Sequence, residues 1–182
     1  IQISSVVSAG SGVTGPPLCD HGSEYYVDVD RGTRTVSGVA GNWRAGVGGG
    51  IVGALAMGVL VLAMNTPTLA VAIPSLYGLA PPASVGAGLF VHVSHGAVLG
   101  VAFAGLVGAF DLDSTGARVG AGVGWGVATW VVLAALVMPA WLSAVGSPAS
   151  PPLPNFAPPS LLWHAVYGVV LGGVYTAVES RV

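Results

Sequence analysis

Polar residues are the exception along most of this chain, and the few that occur divide it into four long apolar stretches. Residues 46–64 open on glycines and run to Asn65-Thr66-Pro67. Residues 85–110 lead into the polar turn Asp111-Leu112-Asp113-Ser114-Thr115-Gly116-Ala117-Arg118. Residues 119–137 stop at Met138-Pro139, where a proline ends or kinks a helix. Residues 160–178 end at Glu179-Ser180-Arg181. Each stretch is close to the ~20 apolar residues that a spanning helix needs. The pattern predicts an all-α integral membrane protein with four transmembrane helices. Two uncharged, proline-rich loops, 67–84 and 146–159, connect the first helix to the second and the third to the fourth. Leu69 to Leu79 is apolar but too short to span, and is expected at the interface or slightly re-entrant.

Residues 1–45 break the pattern. They are polar, rich in Gly, Ser and Thr, and hold six of the twelve charged residues before Arg44. They read as a flexible cytoplasmic tail. Cys19, Asp20, His21 and Glu24 are ligand-type side chains, but four in one loop with no second half is a weak metal signal. The transmembrane domain is 46–182.

The apolar stretches contain an internal repeat. His92-Val93-Ser94-His95-Gly96-Ala97-Val98-Leu99-Gly100 recurs as His164-Ala165-Val166-Tyr167-Gly168-Val169-Val170-Leu171-Gly172. His, Gly, Val, Leu and Gly keep their offsets, and His95 becomes Tyr167. On a helix, His92, His95, Gly96, Leu99 and Gly100 fall on one side. Met64 and Met138 are expected to mark the ends of the odd helices. Ala80-Pro81-Pro82 and Ala157-Pro158-Pro159 would mark the starts of the even ones. The chain then reads as two copies of one helical hairpin. Both copies enter the membrane from the same side, so a pseudo-two-fold axis along the membrane normal relates them.

Composition agrees. The 182 residues are 53% hydrophobic and only 7% charged, with a mean hydropathy of +0.81, where a soluble domain carries about 25% charge. A formal net charge of -2, with no lysine, argues against a nucleic-acid partner. Many of the 29 glycines fall within the apolar stretches, some at small-xxx-small spacing: Gly49 with Gly53, Gly120 with Gly124, Gly122 with Gly126. That spacing suits close helix packing in lipid. Cys19 is the single cysteine, so no disulfide forms within the chain. Arg44, Arg118 and Arg181 all flank the spans on one side. The positive-inside rule therefore places both termini and the 111–118 turn in the cytoplasm of a multi-pass cell-membrane protein.

Candidate chemistry rests on the repeated histidines, because an ionisable residue inside a span is a functional hypothesis by default. His92 and His164 would face each other across the pseudo-axis. Neutral imidazoles ligate haem iron, and a flat macrocycle needs helix faces free of side chains. A b-type haem would then take His92 and His164 as its metal ligands. Gly96, Gly100, Gly168 and Gly172 would line the ring, with His95 and Tyr167 as outer donors. His92 lies nineteen residues before Asp111 and His164 fifteen before Glu179, which implies a depth difference of ~6 Å. The competing reading gives the histidines interhelical hydrogen bonds beside an aromatic belt that includes Trp163. Trp125, Trp130 and Trp141 read as lipid-facing or packing residues. No intramembrane carboxylate is present to drive proton coupling, and no phosphate-loop or Gly-x-Ser-x-Gly signature occurs. No catalytic residue is assigned.

The glycine-rich odd segments, the proline-interrupted loops and the repeated His-x-x-[His/Tyr]-Gly-x-Val-Leu-Gly resemble small four-span membrane proteins of halophilic archaea. Members of that group are sometimes labelled histidine kinases although they lack a kinase domain. The resemblance covers about residues 46–180, implies the architecture and a prokaryotic cell membrane, and assigns no activity. The functional expectation is a non-catalytic accessory or scaffold subunit, with lipids and other membrane subunits or further copies as partners. A haem-binding electron-transfer protein is the alternative, and small-molecule or ion permeation a third reading.

Overall fold

A computed structural model describes residues 41–182. The tail up to residue 40, with Cys19, Asp20, His21 and Glu24, lies outside the described residues. Five helical elements follow: α1 (Trp43–Met64), α2 (a π-helical Thr68–Ala72 running into one α-turn, Ile73–Ser75), α3 (Val85–Ala109), α4 (Thr115–Ala144) and α5 (Pro158–Val178), with a final 3-10 turn at Glu179–Arg181. No strand occurs among the described residues. α1, α3, α4 and α5 are each long and apolar enough to cross a membrane. Large side chains such as Val59, Phe90 and Val98 point outward, as lipid contact requires.

Helix starts are set by side-chain caps. Asn42 accepts from the amides of Arg44 and Ala45, so α1 begins three residues before the expected 46. Ser84 and Ser114 cap α3 and α4 by accepting from Ala87 and Ala117. Ala157 precedes α5, and Pro158 and Pro159 are its first residues, where a missing N–H costs nothing. Ala80-Pro81-Pro82 instead lies in the loop before Ser84, so the two Ala-Pro-Pro runs are not equivalent.

Prolines shape the other ends. α4 does not stop at Val137: it continues through a π-helical stretch, Trp130–Val137, and past Pro139 to Ala144. Proline has no N–H to give the carbonyl four residues earlier. That carbonyl, Ala135, accepts from Asn155 of the following loop at 2.9 Å. In the first hairpin Pro74 leaves Ala70 in the same position, and Ser84 donates to it at 2.8 Å. Pro74 and Pro139 thus play the same part in the two hairpins; Met64 does end α1, whereas Met138 lies inside α4. Each region closes on a glycine with φ of +68°, Gly78 and Gly146, where the backbone turns back on itself.

Four helices form a row by contact: α3 against α1, α1 against α5, α5 against α4. The hairpin interfaces are built from glycine. A Cβ on Gly50 would strike the Gly96 carbonyl, and one on Gly46 the Gly100 carbonyl. In the second hairpin, a Cβ on Gly122 would strike the Gly168 carbonyl and one on Gly126 the His164 carbonyl. Asn42 and Ser114, Gly50 and Gly122, Gly96 and Gly168, and Phe103 and Tyr175 all stand at the same offset as His92 and His164. Phe103 and Tyr175 meet edge to face, centroids 5.7 Å apart. The two copies therefore lie at matched depth, and the ~6 Å difference inferred from the flanking acids does not arise. The acids are not equivalent positions: Glu179 corresponds to Val107.

The symmetry fails in one place. α1 packs closely on α5, but α4 and α3, its counterparts, hardly touch. α1 approaches α5 through a second glycine stripe, with Gly49 against Leu171 and Gly53 against Tyr167, where an added Cβ would come within 3.0 Å of the ring. The residue of α4 that corresponds to Gly53 is Trp125. A bulky indole thus stands in the second copy where the first has a glycine, and the second copy lacks the close contact.

Candidate binding cavity

The gap left between α3 and α4 is the entrance to a cavity of about 970 Å³ in the half of the bundle that carries the prolines. His92, His95 and Gly96 of α3 and His164 and Tyr167 of α5 line it, so the repeated motif converges on one space. Val98 of α3 and Val137 of α4 lie on its wall and are more than half exposed. The cavity is open on that side. Below it Phe103, Ala104, Leu171 and Tyr175 are fully buried and form a packed floor.

Each ring on the wall is held by a specific bond. His92 Nε2 bonds the Ala54 carbonyl at 3.0 Å, and its Cδ2 edge would lie 3.6 Å from a Cβ on Gly58. His164 Nδ1 bonds the Ser160 carbonyl of its own helix at 2.7 Å. Tyr167 donates to the Gly96 carbonyl at 3.0 Å. Trp163 donates to Met64 Sδ at 3.2 Å, and Trp141 to the Leu76 carbonyl at 3.0 Å. His95 pairs with the Tyr77 hydroxyl at 2.7 Å, at the exposed rim.

The glycines fall differently from the haem expectation. Gly100, Gly168 and Gly172 do not line the cavity. Their missing side chains are filled by the backbones of Gly46, Gly122 and Arg118. Gly96 reaches the wall, but its Cα face is occupied by Ala54. These positions serve helix contact, so no ring cradle exists there. His92 and His164 do share the cavity, although among the described residues no three His, Cys, Asp or Glu side chains gather as a metal site.

Sequence reading did not find Tyr77, Trp141 or Thr129 on the wall. Tyr77 arrives because α2 folds back onto α3 after the Asn65-Thr66-Pro67 break. Gly88 permits this, since a Cβ there would strike the Leu69 carbonyl. No local signal announces that fold-back. No family model, curated protein or solved structure matches the chain.

At the opposite end the charged residues gather. Arg118 forms a two-pronged ion pair with Glu179, donates from Nε to the Leu112 carbonyl at 2.6 Å and lies 5.8 Å from the Tyr175 ring. Tyr175 Oη accepts from the Asn42 amide, and the Asn42 side chain donates to the Glu179 and Val182 carbonyls. This cluster joins the start of α1, the 111–114 turn and the C-terminus at one end.

Proposed function

We propose that this protein is a membrane-embedded binding protein for a small lipophilic molecule, taken up sideways between α3 and α4. The observation that carries the reading is the cavity itself: about 970 Å³, open toward the lipid-facing surface, with three histidines and two tyrosines on an otherwise largely apolar wall. Sites for small molecules are typically of this size, mostly apolar with a few fixed polar groups. A purely scaffolding role gives such a cavity no use, and the packed floor disfavours permeation. The arginine-bearing end faces the cytoplasm in this reading and the cavity lies in the outer half, following the charge bias.

The test is purification into lipid nanodiscs, native mass spectrometry and thermal unfolding with and without the source membrane's lipid extract. A bound small molecule and a rise in Tm are expected, because a ligand of the folded state stabilises it. Ala134→Trp, which places an indole in the cavity, should remove both. Absence of a bound species together with an unchanged Tm in the extract would refute the reading.

A further inference from the structure

The bonds on the cavity wall restrict what the ligand can be, and this step rests on the binding role proposed above. A carbonyl only accepts hydrogen bonds, so the ring nitrogen that meets it must carry the hydrogen. His92 therefore holds its hydrogen on Nε2, for Ala54, and His164 on Nδ1, for Ser160. A neutral imidazole that donates through one nitrogen presents the other as a lone pair. His92 Nδ1 and His164 Nε2 are those lone pairs, and neither has a partner among the described residues. The other buried rings on the wall have likewise spent their hydrogens, Tyr167 on Gly96 and Trp163 on Met64, and the two unpaired buried indoles, Trp125 and Trp130, do not line it. The buried rings thus offer acceptors to a ligand; at the rim the His95–Tyr77 pair keeps one hydrogen to spare, and the hydroxyls of Ser160 and Thr68 and the carboxamides of Asn65 and Asn155 can play either part.

Charge narrows the class further. All six charged residues in the described part lie at or beyond the helix ends away from the prolines, and none lines the cavity. An anionic ligand would find no cation there, and a cationic one no carboxylate. We infer that the cavity takes a neutral lipophile that donates hydrogen bonds through hydroxyl groups, of the phenol or hydroquinone class, in preference to the carbonyl form of the same molecule. His164 Nε2 is the principal acceptor and His92 Nδ1 the second.

Three probes of one shape decide it: an alkylated benzohydroquinone, its dimethyl ether, and the corresponding benzoquinone. Binding is read under anaerobic conditions from quenching of the tryptophan fluorescence, since Trp141 and Trp163 stand on the wall. The hydroquinone should bind ~10-fold or more tightly than the other two, the difference expected for one or two hydrogen bonds. His164→Phe should bring the three affinities together and His92→Phe should narrow the gap. The probe comparison on the unaltered protein stands even where a variant does not fold. Equal binding of all three, tighter binding of the quinone, or no binding of any would overturn the donor preference. In each case the nanodisc experiment still decides independently whether a cavity ligand exists. A stoichiometric Soret band in the native preparation would overturn it too, by assigning the same lone pairs to haem iron.

Discussion

Single residues in this protein matter according to which surface they face. The glycines of α4 make the point, because two interleaved sets sit on one helix. Gly122 and Gly126 are pressed against α5, whereas Gly116, Gly120 and Gly124 have nothing within 4 Å of an added Cβ. Gly122→Ala or Gly168→Ala must force two backbones apart, and overpacking of this kind costs ~1–3 kcal/mol. Gly120→Ala adds a methyl in open space and improves helix propensity, so its effect should be neutral or slightly stabilising. Thermal unfolding of the three variants in nanodiscs checks the contrast, and equal losses at positions 120 and 122 would refute the packing assignment. Both sets have the same small-xxx-small spacing, so sequence alone could not tell them apart. The spacing shows that a face is smooth and leaves open what lies against it. The haem reading of Gly100, Gly168 and Gly172 came from the same ambiguity: a helix face cleared for a neighbouring backbone looks like one cleared for a flat ligand.

At the scale of elements, the prolines are built into each hairpin together with a loop that compensates them. Pro139 strands the Ala135 carbonyl, and the Asn155 amide satisfies it; Pro74, Ala70 and Ser84 do the same in the first copy. An unpaired carbonyl in this position costs ~1–3 kcal/mol. Asn155→Pro, which deletes that amide, should lower the unfolding midpoint in the wild-type protein. The loss should be smaller in a Pro139→Ala background, where a helical N–H becomes available to Ala135. A double-mutant cycle measures the coupling, and independent, additive effects would show that the Asn155 bond does not compensate the proline. The helix count and the hairpin pairing were legible because a span must satisfy its backbone internally and bury few charges. The true end of α4 was not, because a proline usually stops a helix, and the compensating amide sits sixteen residues downstream on a loop whose path no local pattern dictates.

For the whole molecule, the most consequential feature is a symmetry that the sequence repeats and the helix packing breaks. Gly53 lets α1 meet α5, whereas its counterpart on α4 is Trp125 and α4 hardly touches α3, so the cavity lies where the duplicate interface is missing. The convergence of His92, His95, His164 and Tyr167 was legible from the repeat; the cavity was not, since it depends on which pairs of helices meet and which stand apart. The same architecture fixes a testable orientation. Every described charge, the 111–114 turn and the C-terminus share one end, and both proline loops share the other. With Cys19 changed to serine, single cysteines are placed at exposed positions: Ala83 and Ser150 in the proline loops, Asp113 in the turn. In intact cells a membrane-impermeant maleimide should label the first two and spare Asp113→Cys until the membrane is opened. Labelling of Asp113→Cys alone would invert the orientation and move the cavity to the inner half. Labelling of Ala83→Cys without Ser150→Cys would place the two loops on opposite sides, which two like-facing hairpins cannot accommodate.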